Sequence, residues 1–226
     1  MTGEIRVLSY NVLSLRMSYP AVVQVIRQCR PDVVCLQEIP RFFRWRKQLR
    51  RLAADCDLVA AAGHARAGAV ALLTGPGVEI LHTAAVKLPL RWGRHRRGAA
   101  VALLGVRDVR FAIASVHLSL YADERLAHLP LICAAAQRYG VPTVIAGDLN
   151  EEPDGAVWRA LSTNFQDAYA AAPDGAAATF TAQVPRRRID AVFVHPALKV
   201  AGCGVPDVAG VRQASDHQPL LARLSL

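Results

Sequence analysis

The chain has 226 residues, 53% of them hydrophobic and 20% charged. That composition excludes a disordered segment and suits one packed domain spanning residues 1–226. Lysine and arginine number 27 against 18 acids, a formal net charge of +9, which favours a polyanionic partner, either nucleic acid or an anionic lipid surface, unless it is only the background of an Ala/Arg-rich composition.

In chain order, residues 5–10 read as a strand closed by Asn11, and 20–29 as a helix with Val22, Val23, Val25 and Ile26 at helical spacing. Residues 33–36 read as a second buried strand ending in Gln37-Glu38, and 41–54 as a basic helix, RFFRWRKQLRRLAA. Strand-like runs follow at 58–61, 67–74, 78–86, 99–106 and 109–116, separated by Gly, Pro or Asp turn signals. Residues 122–139 predict a helix ending at Gly140, with Pro130 inside it as an expected kink or break. Residues 141–146 read as a strand, 154–162 as a short helix, 170–178 as a surface loop, and 189–194, 199–203 and 217–224 as the last strands. Helix–strand units alternate with runs of consecutive strands, which predicts an α+β fold with antiparallel or mixed sheets.

Five cysteines (Cys29, Cys35, Cys56, Cys133 and Cys203), odd in number and without a CxxC pair, read as reduced, mostly buried thiols of a cytoplasmic protein. The opening MTGEIRVLSYNV lacks a basic stretch leading into an apolar one, so no secretory signal is expected, and no apolar run is long enough to span a bilayer.

Polar residues gather where apolar strands end. Asn11 closes RVLSYN, Glu38 closes DVVCLQE, His117 closes FAIASVH, and Asp148 and Asn150 close TVIAGDLN. Asp216-His217 opens the final strand. Singly, each has a plain structural reading, as a turn residue, a solvated strand end or a hydrogen-bonded histidine. Asp190 is harder to set aside. Strand alternation turns it to the side of Val192 and Val194, opposite Ile189 and Ala191, and a carboxylate on an apolar face needs a partner. His217 is the candidate, oriented and made more basic by the aspartate. A calcium loop beginning at Asp148 is excluded, because its glycine and bidentate glutamate positions hold Pro153 and Arg159. Glu151, Glu152 and Asp154 instead lead into the next helix, where acids suit the N-terminal dipole.

The blocks SYN (9–11), LQE (36–38), SVHLS (115–119), GDLN (147–150), RRIDAVF (187–193) and SDH (215–217) occur in this order. Together they resemble the endonuclease/exonuclease/phosphatase superfamily, which includes deoxyribonucleases, AP endonucleases, deadenylases, neutral sphingomyelinases and inositol polyphosphate 5-phosphatases. The resemblance implies a two-sheet β-sandwich flanked by helices on both outer faces, four layers α/β/β/α, with the active site at one end. It also implies Mg²⁺ or Mn²⁺ held by Glu38, Asn11 and Asp216. Asp148 would then orient or deprotonate the attacking water, Asn150 would donate to the scissile phosphate, and His217 held by Asp190 would meet the phosphate or shuttle a proton. His117 would act as acid or phosphate contact, although no carboxylate can be placed beside it. The implied reaction is in-line hydrolysis of a phosphoester without a covalent intermediate.

For substrate, the first reading is a phosphodiesterase acting on nucleic acid, an endo- or exonuclease, which the +9 charge supports; the alternative is a lipid head group or small phosphorylated metabolite, which His117 and a chain short for the superfamily support. A non-catalytic binding module on the same fold is the reading of another class. Basic residues interleave with aromatics at 41–52 (Phe42, Phe43, Trp45) and at 91–98 around Trp92. The first stretch also reads as an amphipathic helix whose aromatics face the core. Arg97 and Arg188 are the candidate substrate contacts, and a monomer is expected.

Overall fold

The computed structural model describes residues 3–41, 44–64 and 68–225. The first half of the chain runs β1 (Glu4–Asn11), α1 (Tyr19–Cys29), β2 (Val33–Gln37), α2 (Trp45–Asp55), β3 (Val59–His64), β4 (Val70–Thr74), β5 (Glu79–Lys87) and β6 (Gly98–Val106). The second half runs β7 (Val109–His117), α3 (Ala122–Gln137), β8 (Thr143–Asp148), α4 (Ala156–Ser162), β9 (Gln166–Asp167), α5 (Ala168–Ala171), β10 (Asp190–Val194), β11 (Lys199–Gly204), α6 (Val211–Ala214) and β12 (Leu220–Ser225). The strands form two mixed sheets, ordered β11-β12-β1-β2-β4-β3 and β5-β6-β7-β8-β10-β9.

Alternation sorts the side chains of each strand into two cores. Val7, Val33, Leu72, Leu104, Phe111, Ile113, Val144 and Val192 fill the space between the sheets. The outward residues Leu8, Tyr10, Leu36 and Leu73 pack under α1, α2 and α6, while Val101, Val116, Ile145 and Phe193 pack under α3 and α4. The result is the expected four-layer α/β/β/α sandwich. Each fully buried Leu or Phe here contributes about 1.5–3 kcal/mol relative to exposure.

The inner face changes character toward one end. Parity that turns Phe111 and Ile113 inward also turns Ser115 and His117 inward, and likewise Val144 and Ala146 with Asp148. Beneath the site, Gln37 Nε2 reaches Ser115 Oγ across the two sheets at 3.4 Å, and that hydroxyl donates to the Leu36 carbonyl at 3.0 Å. β1 is parallel to β2 and β7 to β8, so their C-terminal ends emerge on the same side.

Three elements depart from expectation. α3 runs unbroken through Pro130, because that residue is exposed and the carbonyl it deprives of a helical donor is that of Leu126, itself exposed, while Leu129 and Ile132 anchor the turns. The last strand begins at Leu220, and His217 precedes it in an isolated bridge to Phe180. The basic helix begins at Trp45, with Leu49, Leu52 and Ala53 buried, Trp45 packed against the core, and Arg46, Lys47, Arg50 and Arg51 exposed. The aromatic positions Phe42 and Phe43, and the first residue of the strand expected at 67–74, lie outside the described residues.

Candidate active site

Strand register builds the site. His117 stands opposite Asp148 in the parallel β7–β8 pair, and Asp190 stands opposite Asp148 in the antiparallel β8–β10 pair. Gly147 permits this junction, since a Cβ there would lie 1.9 Å from the Val116 carbonyl oxygen. Asn11 ends β1 beside Gln37 of β2. Glu38 then leaves the sheet in a left-handed conformation, φ +52°, at a cost of about 1–2 kcal/mol for a non-glycine residue. Its carbonyl accepts from Ser14 N at 2.7 Å, which ties the β1–α1 loop to the same corner.

Asp148 is the hub. Its Oδ2 accepts from Asn11 Nδ2 at 3.1 Å and lies 3.4 Å from His117 Nε2 and 3.7 Å from His217 Nε2. Its Oδ1 accepts from Asn150 N at 2.9 Å, an Asx turn that Asn150 completes with φ +51°. Asn11 also reaches Glu38 Oε1 at 3.4 Å, and its Oδ1 accepts from Leu13 N at 3.1 Å. That backbone donor fixes the amide so that its nitrogen, not its oxygen, faces both carboxylates. Asn150 Nδ2 donates to the Leu118 carbonyl at 3.0 Å, leaving its second amide hydrogen free of that bond.

His217 Nδ1 lies 2.8 Å from Asp190 Oδ2, with both side chains buried, and the ring packs against Phe180 at a centroid distance of 4.9 Å. Ser215 Oγ donates to the Asn11 carbonyl at 2.7 Å and so locks the loop carrying Asp216 and His217 onto β1. Burial lowers the proton affinity of the His217 imidazole, but the charge and hydrogen bond of Asp190, then the charges of Asp148 and Asp216, outweigh it and raise the pKa well above the ordinary value. Burial, and next the Asp190 charge, push the Asp148 carboxyl above the usual carboxylate range. His117 moves the other way, held neutral by burial and then by the charges of Arg97, His217, Arg41 and His95. Its Nδ1 is buried without a partner among the described residues, and the carboxylate beside the ring is Asp148, on the Nε2 side.

These groups floor a cavity of about 840 Å³. Ser14, Arg16, Glu38, Arg41 and Gln48 form its walls from the first sheet, and His95, Arg97, Leu120 and Asn150 from the second, with Phe180, Asp216 and His217 between. Arg97 therefore reaches the site as expected. Arg188 does not. Its guanidinium forks onto Asp167 at 2.7 and 3.1 Å and stacks over Trp158 and Tyr169, so it ties β10 to β9 and the helices outside instead of meeting substrate. Glu151 is likewise structural. Its Oε2 accepts from Val157 N and Trp158 N, capping α4, and its Oε1 pairs with Arg125 at 3.0 Å. Phe180, in the featureless stretch ATFTA, carried no sequence signal.

Two donor sets are available to a cation. Asp148, Asp190 and His217 bring ligand atoms within 4.8 Å of one another, with His217 Nδ1 and Asp190 Oδ2 engaged with each other at 2.8 Å. Glu38 and Asp216 line the cavity with no Lys, Arg or His within ion-pair reach among the described residues, which suits a hard divalent ion that takes oxygen ligands.

The sequence profile of the Endonuclease/Exonuclease/phosphatase family matches residues 8–217, and the chain belongs to that family. Its members hydrolyse phosphoesters, typically with a divalent metal. The fold is similar to that of an endonuclease/exonuclease/phosphatase from Bacteroides vulgatus, with TM-score 0.85, 22% identity and 99% of each chain covered. It is also similar to a mannosyl-6-phosphatase of Bacteroides thetaiotaomicron, with TM-score 0.81, 19% identity, and 98% of this chain and 100% of that one covered. A third similar structure is the human Nocturnin catalytic domain with bound sulfate, with TM-score 0.75, 19% identity, and coverage of 98% and 94%. Among curated protein sequences no significant match is found. Among the described residues no helix is long and apolar enough to cross a membrane.

Proposed function

We propose that this chain is a Mg²⁺- or Mn²⁺-dependent hydrolase of small or chain-terminal phosphoesters, which enter the cavity end-on. The observation that carries this reading is Asp148 Oδ2 at 3.1–3.7 Å from Asn11, His117 and His217, with His217 held by Asp190 at 2.8 Å on the cavity floor. Glu38 and Asp216 would hold the cation, which when bound supplies charge neutralisation and a more acidic water. Asn11 acts differently from the sequence expectation of a ligand: its amide nitrogen orients the Glu38 and Asp148 carboxylates. Asp148 aims the attacking water and accepts its proton. The Nε2 of protonated His217 and the remaining amide hydrogen of Asn150 stabilise charge on the phosphoryl oxygens. Neutral His117 donates or accepts a hydrogen bond beside them.

The size of the cavity supports a compact substrate, since about 840 Å³ lies in the range of small-molecule pockets. The similar mannosyl-6-phosphatase points the same way. A nuclease is the second reading, favoured by the net charge of +9. A panel of sugar phosphates, p-nitrophenyl phosphate, bis-p-nitrophenyl phosphate, sphingomyelin, single-stranded and plasmid DNA and RNA, each with Mg²⁺ or Mn²⁺, tests it. Hydrolysis confined to small esters supports the proposal, and nucleic-acid cleavage that falls steeply with salt establishes the second reading instead. No hydrolysis of any ester sinks both and leaves a binding module. Glu38→Ala and His217→Ala should each abolish the activity found.

A further inference from the structure

Arg97 is the anomaly of the cavity. It is 5% exposed, its Nε is buried without a hydrogen-bond partner, and no carboxylate pairs with it among the described residues. The other deeply placed arginines are matched: Arg125 by Glu151 at 3.0 Å and Arg188 by Asp167 at 2.7 Å. A guanidinium so placed without an acidic partner is unfavourable, so an anion that completes it is the physical expectation. Burial is the main influence lowering its proton affinity, with Asp148 and Glu38 acting against it and Arg41 with it.

The fold also works to hold this charge in place. The loop before β6 is pinned to α3 from several directions. Arg94 pairs with Asp123 at 3.0 Å and lies over the Tyr121 ring, Arg91 pairs with the same Asp123, and His128 Nε2 meets the Pro89 carbonyl at 3.0 Å. On the other side Gly68, at φ +72°, lets its chain press against Arg97, where a Cβ would stand 2.9 Å from Arg97 Cα and 2.5 Å from Gly98 N. From this loop His95 and Arg97 line the cavity, and from the loop after β2 Arg41 joins them. The scissile phosphate already has His217, Asn150 and His117, so Arg97, Arg41 and His95 are surplus to it.

We propose that Arg97, with Arg41 and His95, forms a second anion subsite, so that the preferred substrates carry a second phosphate or carboxylate near the phosphoester that is cleaved. The proposal rests on the phosphoester-hydrolase reading, of which it specifies the substrate class. Asp123 is then a positioning residue for the loop.

Isothermal titration calorimetry on the metal-free protein, in which no turnover occurs, tests the subsite directly. The ligands are two matched pairs, fructose 1,6-bisphosphate against fructose 6-phosphate and adenosine 3′,5′-bisphosphate against adenosine 5′-phosphate. The bisphosphate of at least one pair should bind at least tenfold tighter, and Arg97→Gln should bring that ratio within twofold of one. Arg110→Gln, an exposed arginine on β7 that does not line the cavity, is the control for net charge and should keep the preference. A preference below tenfold in both pairs, or one that survives Arg97→Gln, overturns the proposal. Arg97→Gln should also leave Tm unchanged or raise it, because it removes an unpaired buried charge, whereas a structural arginine would lower it. Should that variant fail to fold, the subsite idea is refuted unless Arg41→Gln cuts the preference at least threefold. kcat/KM on the same pairs with Mg²⁺ separates the two readings, since absence of all hydrolysis sinks the hydrolase while the binding ratios still decide the subsite.

Discussion

Asp190→Asn isolates the charge behind His217 from its geometry. The asparagine is isosteric, and its carbonyl can still accept from Nδ1–H, so the imidazole keeps its tautomer and place 2.8 Å away. What disappears is a full negative charge against the imidazolium. Two unit charges about 4 Å apart at an effective dielectric of about 20 interact by about 4 kcal/mol, and 1.36 kcal/mol is one pKa unit, so the imidazolium, raised to about 10 in the wild type, should titrate about three units lower, and kcat should fall only about twofold at pH 7 but about 10²-fold at pH 9. KM should change little, because the ester still meets Asn150 and the cation. Folding should survive. Asp190 Oδ1 is buried without a hydrogen bond, so the cost of placing an unpaired amide there, about 1–3 kcal/mol, is offset in part by relief from burying a carboxylate. The measurement is steady-state kinetics on the best ester of the panel, with near-ultraviolet circular dichroism to verify packing. A folded variant whose kcat at pH 9 stays within threefold of the wild-type value would refute the role of Asp190.

Gly147→Ala places a Cβ 1.9 Å from the Val116 oxygen, so β7 and β8 must part at the site; kcat should drop at least tenfold and Tm should fall, as turnover and thermal melts would report. Arg188→Met breaks a largely buried fork with Asp167 and should cost about 3–5 kcal/mol in urea unfolding while leaving the ranking of substrates unmoved, the opposite of Arg97→Gln. Burial pushes the thiols of Cys29, Cys56 and Cys203 up to about 12 from 9. The unfolded thiols ionise above pH 9 and the folded ones only near 12, so the unfolded state holds fewer protons in that window and stability falls as pH rises from 9 toward 12. Three such shifts of about three units can remove of order 10 kcal/mol, comparable to a whole domain's stability, so circular dichroism should show cooperative alkaline unfolding inside that window. Under native conditions at pH 8 a thiol reagent should label half-buried Cys133 before the four buried cysteines.

The parts of the site that follow strand parity were legible in the sequence. Asn11, His117, Asp148 and Asp190 each sit an even number of residues from an inward apolar neighbour on their own strand, so alternation places them on the inner face once that neighbour's side is known, and for Asp190 it already gave the side shared with Val192 and Val194. The acids after Asn150 were separable from the site for a similar local reason: a helix start needs acceptors, and Glu151 provides them. What local pattern could not reach was set by chain crossings distant in sequence. Glu38 and Asn150 enter the site through left-handed backbone, which breaks parity. His217 is placed by a bridge to Phe180 and by Ser215 on β1, not by the strand it was expected to open. Pro130 predicts a kink or break because its solvent-facing position is a property of the packed helix.

Arg97 and Arg188 show the limit most plainly. Both lie one or two residues before an apolar strand, both belong to arginine-rich runs, and nothing in the sequence separates them. A guanidinium's role depends on which acceptor lies within about 3 Å of its tip, six bonds from the backbone, and that neighbour comes from another part of the chain. For Arg188 it is Asp167. For Arg97 none of the described residues supplies one, and only the folded cavity reveals the charge left over. The sequence by itself determined the order of the strands and the polar residues that close them, because these depend on periodicity and on strand ends, while the two-sheet sandwich followed from the family resemblance. The tertiary structure decided which cations remain free to meet a substrate, because pairing is settled between distant segments.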